Sequence, residues 1–481
     1  MRFSGLLAVS LCCATPLVAQ TPAIPAPAGA PPAGFDRAAA QQQTQALLEQ
    51  MISTDTQNPP GNEMRMALLI EAALKGVPGL EARILDMGNN RANVVARLRA
   101  GNPTKRPVLV MGHMDTVGAD PTKWTSPAFT PAVRDGYLYG RGAIDDKGSL
   151  AATVMAMKLL APLRATLDRD VILLGTAAEE GGGPDGIAGV VSKHFELIKD
   201  AEFALNEGGR VRVREGRIYS INIQVSEKQG YNVTATAKGT SGHGSVPLPD
   251  NAIAALSRAL ARVQELKMPV ALNPITREYF KRLATIEKDP AMKDAMTAIV
   301  TSSDHAVIDR AAAVLSKDPT YNATLRTGIS ITMVNGGIRS NVIPSDATAT
   351  LNIRTVPGGD IAEVVRELNR VGAEPAVTFA TAAAQRQTPP TSPITSALFQ
   401  AMDTAGKAMA PGTTVVPFMS TGSTDGAVLR ANGIPTYGIL PLPLSEEDEL
   451  RMHGDNERTP VASLGWAAEY LFRTLATVAA R

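Results

Sequence analysis

Five histidines occur in the 481-residue chain, and three of them stand in settings where side-chain chemistry could use them. His113 follows the apolar run Val108 to Met111, inside Gly112-His113-Met114-Asp115-Thr116. At a strand's end a histidine can bind a metal through one ring nitrogen while a nearby carboxylate, here Asp115, fixes the other. Taken alone, His-x-Asp fits a hydrogen-bonded loop histidine at least as well. Asp145 and Asp146 sit in the glycine-rich segment Gly140 to Gly148, directly before a helical pattern. Glycines let the chain turn tightly, and a carboxylate placed there can bridge two cations. A helix N-cap accounts for one aspartate, but less readily for two in a row. Glu179 and Glu180 follow the apolar run Val171 to Gly175. Two adjacent acids there repel each other unless a cation or a proton intervenes, which favours one as ligand and its neighbour as base; a solvated acidic turn is the plainer alternative. Glu207 follows Phe203-Ala204-Leu205, and His453 lies in the polar segment Met452 to Arg458. Two histidines and three carboxylates make a nitrogen- and oxygen-donor set suited to zinc.

These residues need elements that end close together. Short apolar runs bounded by turn residues, Ala92 to Leu98, Pro107 to Gly112 and Val171 to Gly175, read as strands, and Lys147 to Leu163 between the last two reads as a helix. Strand, helix, strand in that order implies a parallel sheet with covering helices, whose ligands gather at the carboxyl ends of the strands. Helical spacing also marks Ala38 to Met51 and Asn62 to Lys75. From Tyr231 the texture changes. Tyr231 to Thr240, Gly328 to Val334 and Ala347 to Arg354 alternate as half-buried strands do, while Asp250 to Lys267 and Ile361 to Val371 read as amphipathic helices. Helical material from Asn273 to Tyr321 lies inside this region, and helix and strand alternate again after Pro389. The reading is one small domain inserted into a larger, discontinuous one: residues 36–228 and 385–481 form the larger, and 229–384, with a helical insert at 273–321, the smaller.

Length and composition set the class. The chain can bury two cores, 44% of it is apolar, and its formal charge is +1. Without a long run of either sign, nucleic acid and anionic lipid are not expected partners. Met1-Arg2, the apolar run to Ala19 and the polar Gln20 resemble a secretory signal, too short to span a bilayer. Residues 1–19 are therefore expected to be removed, residues 20–35 to form a Pro/Ala-rich tether, and the mature protein to be exported, periplasmic or secreted, and free of the membrane. Both cysteines, Cys12 and Cys13, fall in the signal, which excludes a cysteine nucleophile.

In order and rough spacing these motifs resemble the metallopeptidase family of carboxypeptidase G, carboxypeptidase S, aminoacylase, acetylornithine deacetylase and succinyl-diaminopimelate desuccinylase, from about Gln43 to Ala479. The resemblance implies an α/β catalytic domain with a mostly parallel central sheet flanked by helices, interrupted by a smaller α+β lid domain of the dimerising type. It implies two zinc ions per subunit, with cobalt or manganese as alternatives. Asp145, joined to Asp146 by a cis peptide, would bridge them; His113 and Glu207 would complete one site, Glu180 and His453 the other. Asp115 would orient His113, and Glu179 would be the general base. His243, in Gly239 to Ser245, matches the lid histidine that reaches the scissile carbonyl, often from a neighbouring subunit. Asn341 and Arg354 match the lid's substrate-binding segment, the arginine receiving a carboxylate; without the resemblance Arg354 reads as a surface strand residue in a salt bridge. Gly422 and Ser423 match a turn near the substrate. The implied substrates are peptides or N-acyl amino acids, and a homodimer through the lid is the implied assembly. Glu207 leans towards the carboxypeptidase and aminoacylase branches rather than the dipeptidases. A metal-holding binding protein and a dinuclear phosphoesterase are the competing classes.

Overall fold

The computed structural model describes residues 24–480; the expected signal and the first residues of the tether lie outside the described residues. An eight-stranded sheet forms its centre. Val171–Thr176, Val108–His113, Phe203–Arg214 and Thr436–Leu444 are neighbours in that order and run parallel. The first two are buried along their whole length, as strands covered on both faces must be, which is why they read as continuous apolar runs. Antiparallel pairs extend the sheet with Arg91–Leu98 and Leu80–Gly88 on one side and Arg217–Glu227 on the other, and Thr414–Ser420 then pairs parallel to Arg217–Glu227 at the outer edge.

Helices Arg37–Ser53, Lys147–Leu160, Ala397–Met409 and Val461–Ala479 cover one face around the larger core, and Ile187–His194 and Gly426–Ala431 cover the other. The hairpin Leu80–Gly88 with Arg91–Leu98 extends the sheet beyond the expected strand at 92–98; its outer strand has alternating partial exposure and a charged face, so it lacks the apolar signature of its neighbours.

A second, four-stranded antiparallel sheet has the order Gly328–Gly336, Asp346–Thr355, Gln229–Lys238, Val377–Ala380. Helices Ala252–Gln264 and Ile361–Gly372 pack with it around a separate core. The residues between these elements form four short helices, Pro274–Leu283, Pro290–Thr301, His305–Leu315 and Pro319–Leu325. Each starts at an Asn or Asp whose side chain accepts a backbone N–H, and three have Pro at the first helical position, a sequence-coded start. The first of them lies along Thr414–Ser420 of the central sheet. Tyr279 and Phe280 bury their rings against Tyr321, and Tyr279 also meets Phe418 at 5.8 Å between centroids. The insert is thus anchored on the edge of the large sheet.

Phe280 is fully buried in that cluster, and truncating a buried ring costs about 3–5 kcal/mol. Phe280→Ala should lower the unfolding midpoint and accelerate amide exchange across 274–325 before the central strands, measurable by hydrogen exchange; unchanged exchange there would contradict this packing.

Candidate metal centre

His113 is the last residue of its strand, and the neighbouring parallel strand ends at Thr176. Their carboxyl ends therefore deliver His113 and the Glu179-Glu180 turn to the same place. Ala178 takes the left-handed conformation (φ 56°), and the chain turns so that the N–H groups of Glu179 and Glu180 both donate to Asp115, at 3.1 Å each. Asn58 Nδ2 donates to the same carboxylate at 2.8 Å. Asp115 also stands behind the His113 ring: Nδ1 lies 3.0 Å from its carbonyl oxygen and 3.5 Å from its carboxylate. One fully buried aspartate thus positions both the histidine and the acidic turn. Burial opposes its charge, yet His113 and these donors hold the Asp115 carboxyl below the usual range.

The peptide between Asp145 and Asp146 is cis. Asp145 turns one carboxylate oxygen to each histidine: Oδ1 is 2.8 Å from His113 Nε2, and Oδ2 is 3.1 Å from His453 Nε2. His453 Nε2 is also 3.0 Å from Glu180 Oε1. Donor atoms of His113, Asp145 and Glu180 all lie within 4.8 Å of one another. Asp146 points away from this cluster and receives the His113 N–H at 3.3 Å. A Cβ at position 112 would collide with that carboxylate, so Gly112 is required by close approach.

The electrostatics fit a cation site. Burial, then the charges of Asp145 and Glu179, push the Glu207 carboxyl well above its ordinary range. Burial, joined by Asp425 and Asp145 against the opposing pull of His113, pushes Glu179 up to about 9. Hydrogen bonds to Asp145 and Glu180 push His453 up to about 10. Burial lowers His113, but its bonds to Asp115 and Asp145 outweigh that and hold the ring well above the usual histidine value. Buried acids in such number need compensating positive charge, which protons or metal ions can provide.

The substrate-side residues fall into two groups. Arg354 Nη1 donates to Ser423 Oγ at 3.1 Å and Arg354 Nε to Asn352 Oδ1 at 2.9 Å; Gly422 precedes this serine. His243 and Asn341 meet elsewhere, in the short ribbon pairing Gly242–His243 with Val342–Ile343. His243 is exposed, and its described hydrogen bonds go to Ser245 rather than to the cluster.

Glu207 follows its apolar run within a longer strand, Phe203–Arg214, which continues through Gly208 and Gly209, where the register with Thr436–Leu444 slips. Two acids escaped assignment in the sequence. Glu457, fully buried, accepts from Arg141 Nη1 at 2.8 Å and from the N–H groups of Gly142, Ile144 and Asp145 at 3.0, 2.7 and 3.1 Å. It shapes the loop that presents Asp145, and its one sequence signal was its place four residues after His453. Asp425 accepts from Thr176 Oγ1 at 2.7 Å and faces Glu179.

Residues 109–477 match the family model described as "Peptidase family M20/M25/M40". The chain belongs to this family. As a member of the M20/M25/M40 peptidases it is an enzyme, a metal-dependent hydrolase. It is 27% identical over 388 residues to the human N-fatty-acyl-amino acid synthase/hydrolase PM20D1, covering 79% of this chain and 75% of that protein. It is 27% identical to a probable carboxypeptidase S-like protein of Dictyostelium discoideum, covering 77% and 71% of the two chains. Among solved structures, an M20 family metallo-carboxypeptidase from Sulfolobus solfataricus superposes with a TM-score of 0.68 over 91% of this chain and 99% of that one, at 17% identity. Human carnosine dipeptidase 1 gives 0.65 at 16% identity, over 92% and 97%. At such identities the likeness is one of fold, and the M20 fold is what this chain has.

Two outcomes follow. Glu457→Ala leaves the Arg141 guanidinium, 2% exposed, without its partner, at a cost of about 3–5 kcal/mol, and loosens Asp145; metal affinity should fall about 10–100-fold in a chelator competition. Near neutral pH the cation-free site holds protons on Glu179, pushed up to about 9, and on His453, pushed up to about 10, so metal uptake should release protons, fewer as pH approaches 10. The raised histidines also stabilise the cation-free fold below the ordinary histidine pKa of about 6.5. That contribution is lost as pH rises through their folded values. Calorimetry in buffers of different ionisation heat measures the release, and thermal unfolding across that range measures the stability.

Proposed function

We propose that the protein is an exported, dinuclear zinc exopeptidase of the carboxypeptidase or aminoacylase type, hydrolysing the amide bond of peptides or N-acyl amino acids. The observation that carries this reading is Asp145, which turns one oxygen to each histidine beside an acid, Glu179, free of a metal-type contact with either. In this reading Asp145 is the bridging ligand, His113 and Glu207 hold one ion, and His453 and Glu180 hold the other. Zinc suits the nitrogen and oxygen donors, as do cobalt and manganese. When bound, the ions supply Lewis acidity, polarising a carbonyl oxygen and acidifying a water.

The chain's own residues do the rest. Added positive charge lowers Glu179 from its cation-free value towards neutrality, where a general base works best. Its carboxylate takes a proton from the attacking water and returns it to the leaving amine. Arg354, supported by Ser423, receives the substrate's free carboxylate in the paired geometry that a guanidinium allows, which selects for exopeptidase or acylase action. The names of the similar proteins, a hydrolase of N-fatty-acyl amino acids and a carboxypeptidase S-like protein, support the same substrate range.

His243 is assigned to the oxyanion, from a partner subunit. Its exposure supports this, as do the apolar side chains exposed on the same small domain, including Val246, Met333, Val334 and Ile338; they fit a homodimer through that domain. Export rests on the sequence of residues 1–19.

Glu179→Ala should retain two metal ions and lose about 10²–10⁴-fold in kcat. Mass spectrometry of a pool of dipeptides, longer peptides and N-acyl amino acids, with chelator-stripped and zinc-restored samples, reports the reaction. Zinc-dependent release of free amino acids is expected; phosphodiester cleavage instead, or wild-type turnover in Glu179→Ala, would overturn the proposal.

A further inference from the structure

A pocket of about 760 Å³ opens where the smaller domain meets the helical insert, and no residue of the metal centre lines it. Two connections frame it: residues 265–270, which lead from the helix Ala252–Gln264 into the insert, and residues 326–327, which lead back to the strand Gly328–Gly336. The Ala271 N–H donates to the Leu325 carbonyl at 2.8 Å and so ties the first connection to the end of the insert. Helices His305–Leu315 and Pro319–Leu325 close the other side. The volume lies in the range that encloses drug-sized ligands.

The lining joins two kinds of surface. Leu266, Met268, Val270 and Ile329 are half-buried apolar side chains. Among the described residues that line the pocket, three cations, Lys267, Lys317 and Arg326, stand against one acid, Asp309. The two lysines are exposed, whereas Arg326 is half-buried. Its guanidinium is not neutralised by its hydrogen bonds: Nη1 donates to Asn322 Oδ1 at 2.6 Å and to Ser316 Oγ at 3.3 Å, and the buried Nε has no partner among the described residues. That leaves the Nε–Nη2 edge, where a guanidinium can pair with a carboxylate in two places. Burial pulls Arg326 below its ordinary value, and Asp309 opposes this without restoring it, as happens to a buried cation that lacks an anion. The backbone of the same residue leads to the substrate clamp. Lys228, fully buried, donates its Nζ to the Arg326 carbonyl at 2.6 Å. The Lys228 carbonyl in turn accepts from Ser423 Oγ at 3.2 Å, and that hydroxyl receives the Arg354 Nη1 hydrogen bond.

We propose that this pocket is a second binding site, for an organic anion with a carboxylate on an apolar body, and that its occupancy reaches Arg354 through Lys228. The carboxylate pairs with Arg326, with Lys267 and Lys317 adding charge at the rim, and the apolar body lies along Met268 and Ile329. A bare inorganic anion would leave that apolar surface unused, and a neutral ligand would leave the cations unmatched. The site itself needs neither the metal nor hydrolysis; only the role given to Arg354 rests on the reading above.

The test titrates the metal-loaded protein with phenylbutyrate by calorimetry and locates the bound ligand by hydrogen exchange. Exchange should slow at 265–272 and 322–330, and at 226–230 through Lys228. The neutral isostere phenylbutanol and inorganic phosphate should each bind at least about 10-fold more weakly. Lys267→Glu combined with Lys317→Glu, at two exposed positions that folding tolerates, should weaken phenylbutyrate by about 10-fold or more. Protection confined to the loops of the metal centre, equal binding of phenylbutanol or phosphate, or an affinity untouched by the two lysine reversals would overturn the site. Protection that stops short of 226–230 would overturn its link to Arg354. None of these readouts uses turnover, so the hydrolase reading stands or falls separately.

Discussion

Mutual repulsion among buried carboxylates is the constraint on which the rest of this structure depends. Asp145, Glu179, Glu180 and Glu207 converge on one site, where burial pushes the Glu179 and Glu207 carboxyls up. Such a cluster persists only if positive charge enters it and if something holds the acids against their tendency to separate. The histidines supply part of the charge. The holding is done one layer out, by Asp115 beneath the Glu179-Glu180 turn and by Glu457 beneath the Asp145 loop, each accepting several backbone N–H groups. Carboxylates thus organise carboxylates: those that bind N–H groups fix the geometry, and those left without such donors are the ones a metal can claim.

The same logic explains the division between rigid and adjustable parts. His113, Glu179 and Glu180 stand at or just after the ends of two central strands and Glu207 lies within a third, where packing on both faces fixes the strands. Asp145 sits in the loop between the short strand Tyr137–Tyr139 and the helix Lys147–Leu160, held there by Glu457. Arg354, Asn341 and His243 belong to the smaller antiparallel unit, which has a core of its own. A substrate held at both ends would be gripped by two bodies, an arrangement suited to closure during turnover.

Much of this was legible in the sequence for identifiable reasons. Val108 to Met111 and Val171 to Gly175 are apolar throughout because both faces are covered, and the polar residues that follow them are conspicuous for that reason. The insert from Asn273 to Tyr321 read as helical material, and its division into four capped helices came from the fold. What escaped notice had weaker local signals. Leu80–Gly88 has one solvated, charged face, so it does not read as a core strand. Glu457 does its work through backbone N–H groups more than 300 residues away in sequence, a relation that no local pattern contains. Glu207 read only as an acid after an apolar run; that the strand continues past it, with a slip in register at the two glycines that follow, shows only in the pairing. The packing of the insert on the central sheet also required the tertiary fold, since nothing in its amphipathic spacing names the surface it faces.

That packing bears on how the chain avoids its own kind. The strand Thr414–Ser420 is the last of the central sheet, and an open outer strand offers a row of unpaired backbone groups to any passing chain. Here Pro417 removes one donor from the row, Arg282 Nη1 occupies the Val415 carbonyl at 2.8 Å, and the helix Pro274–Leu283 lies across the strand. The insert is therefore also a cover against sheet-to-sheet aggregation. Trimming it to obtain a smaller enzyme would uncover a template for intermolecular pairing, and a shortened chain would need a replacement guard on that strand to stay in solution.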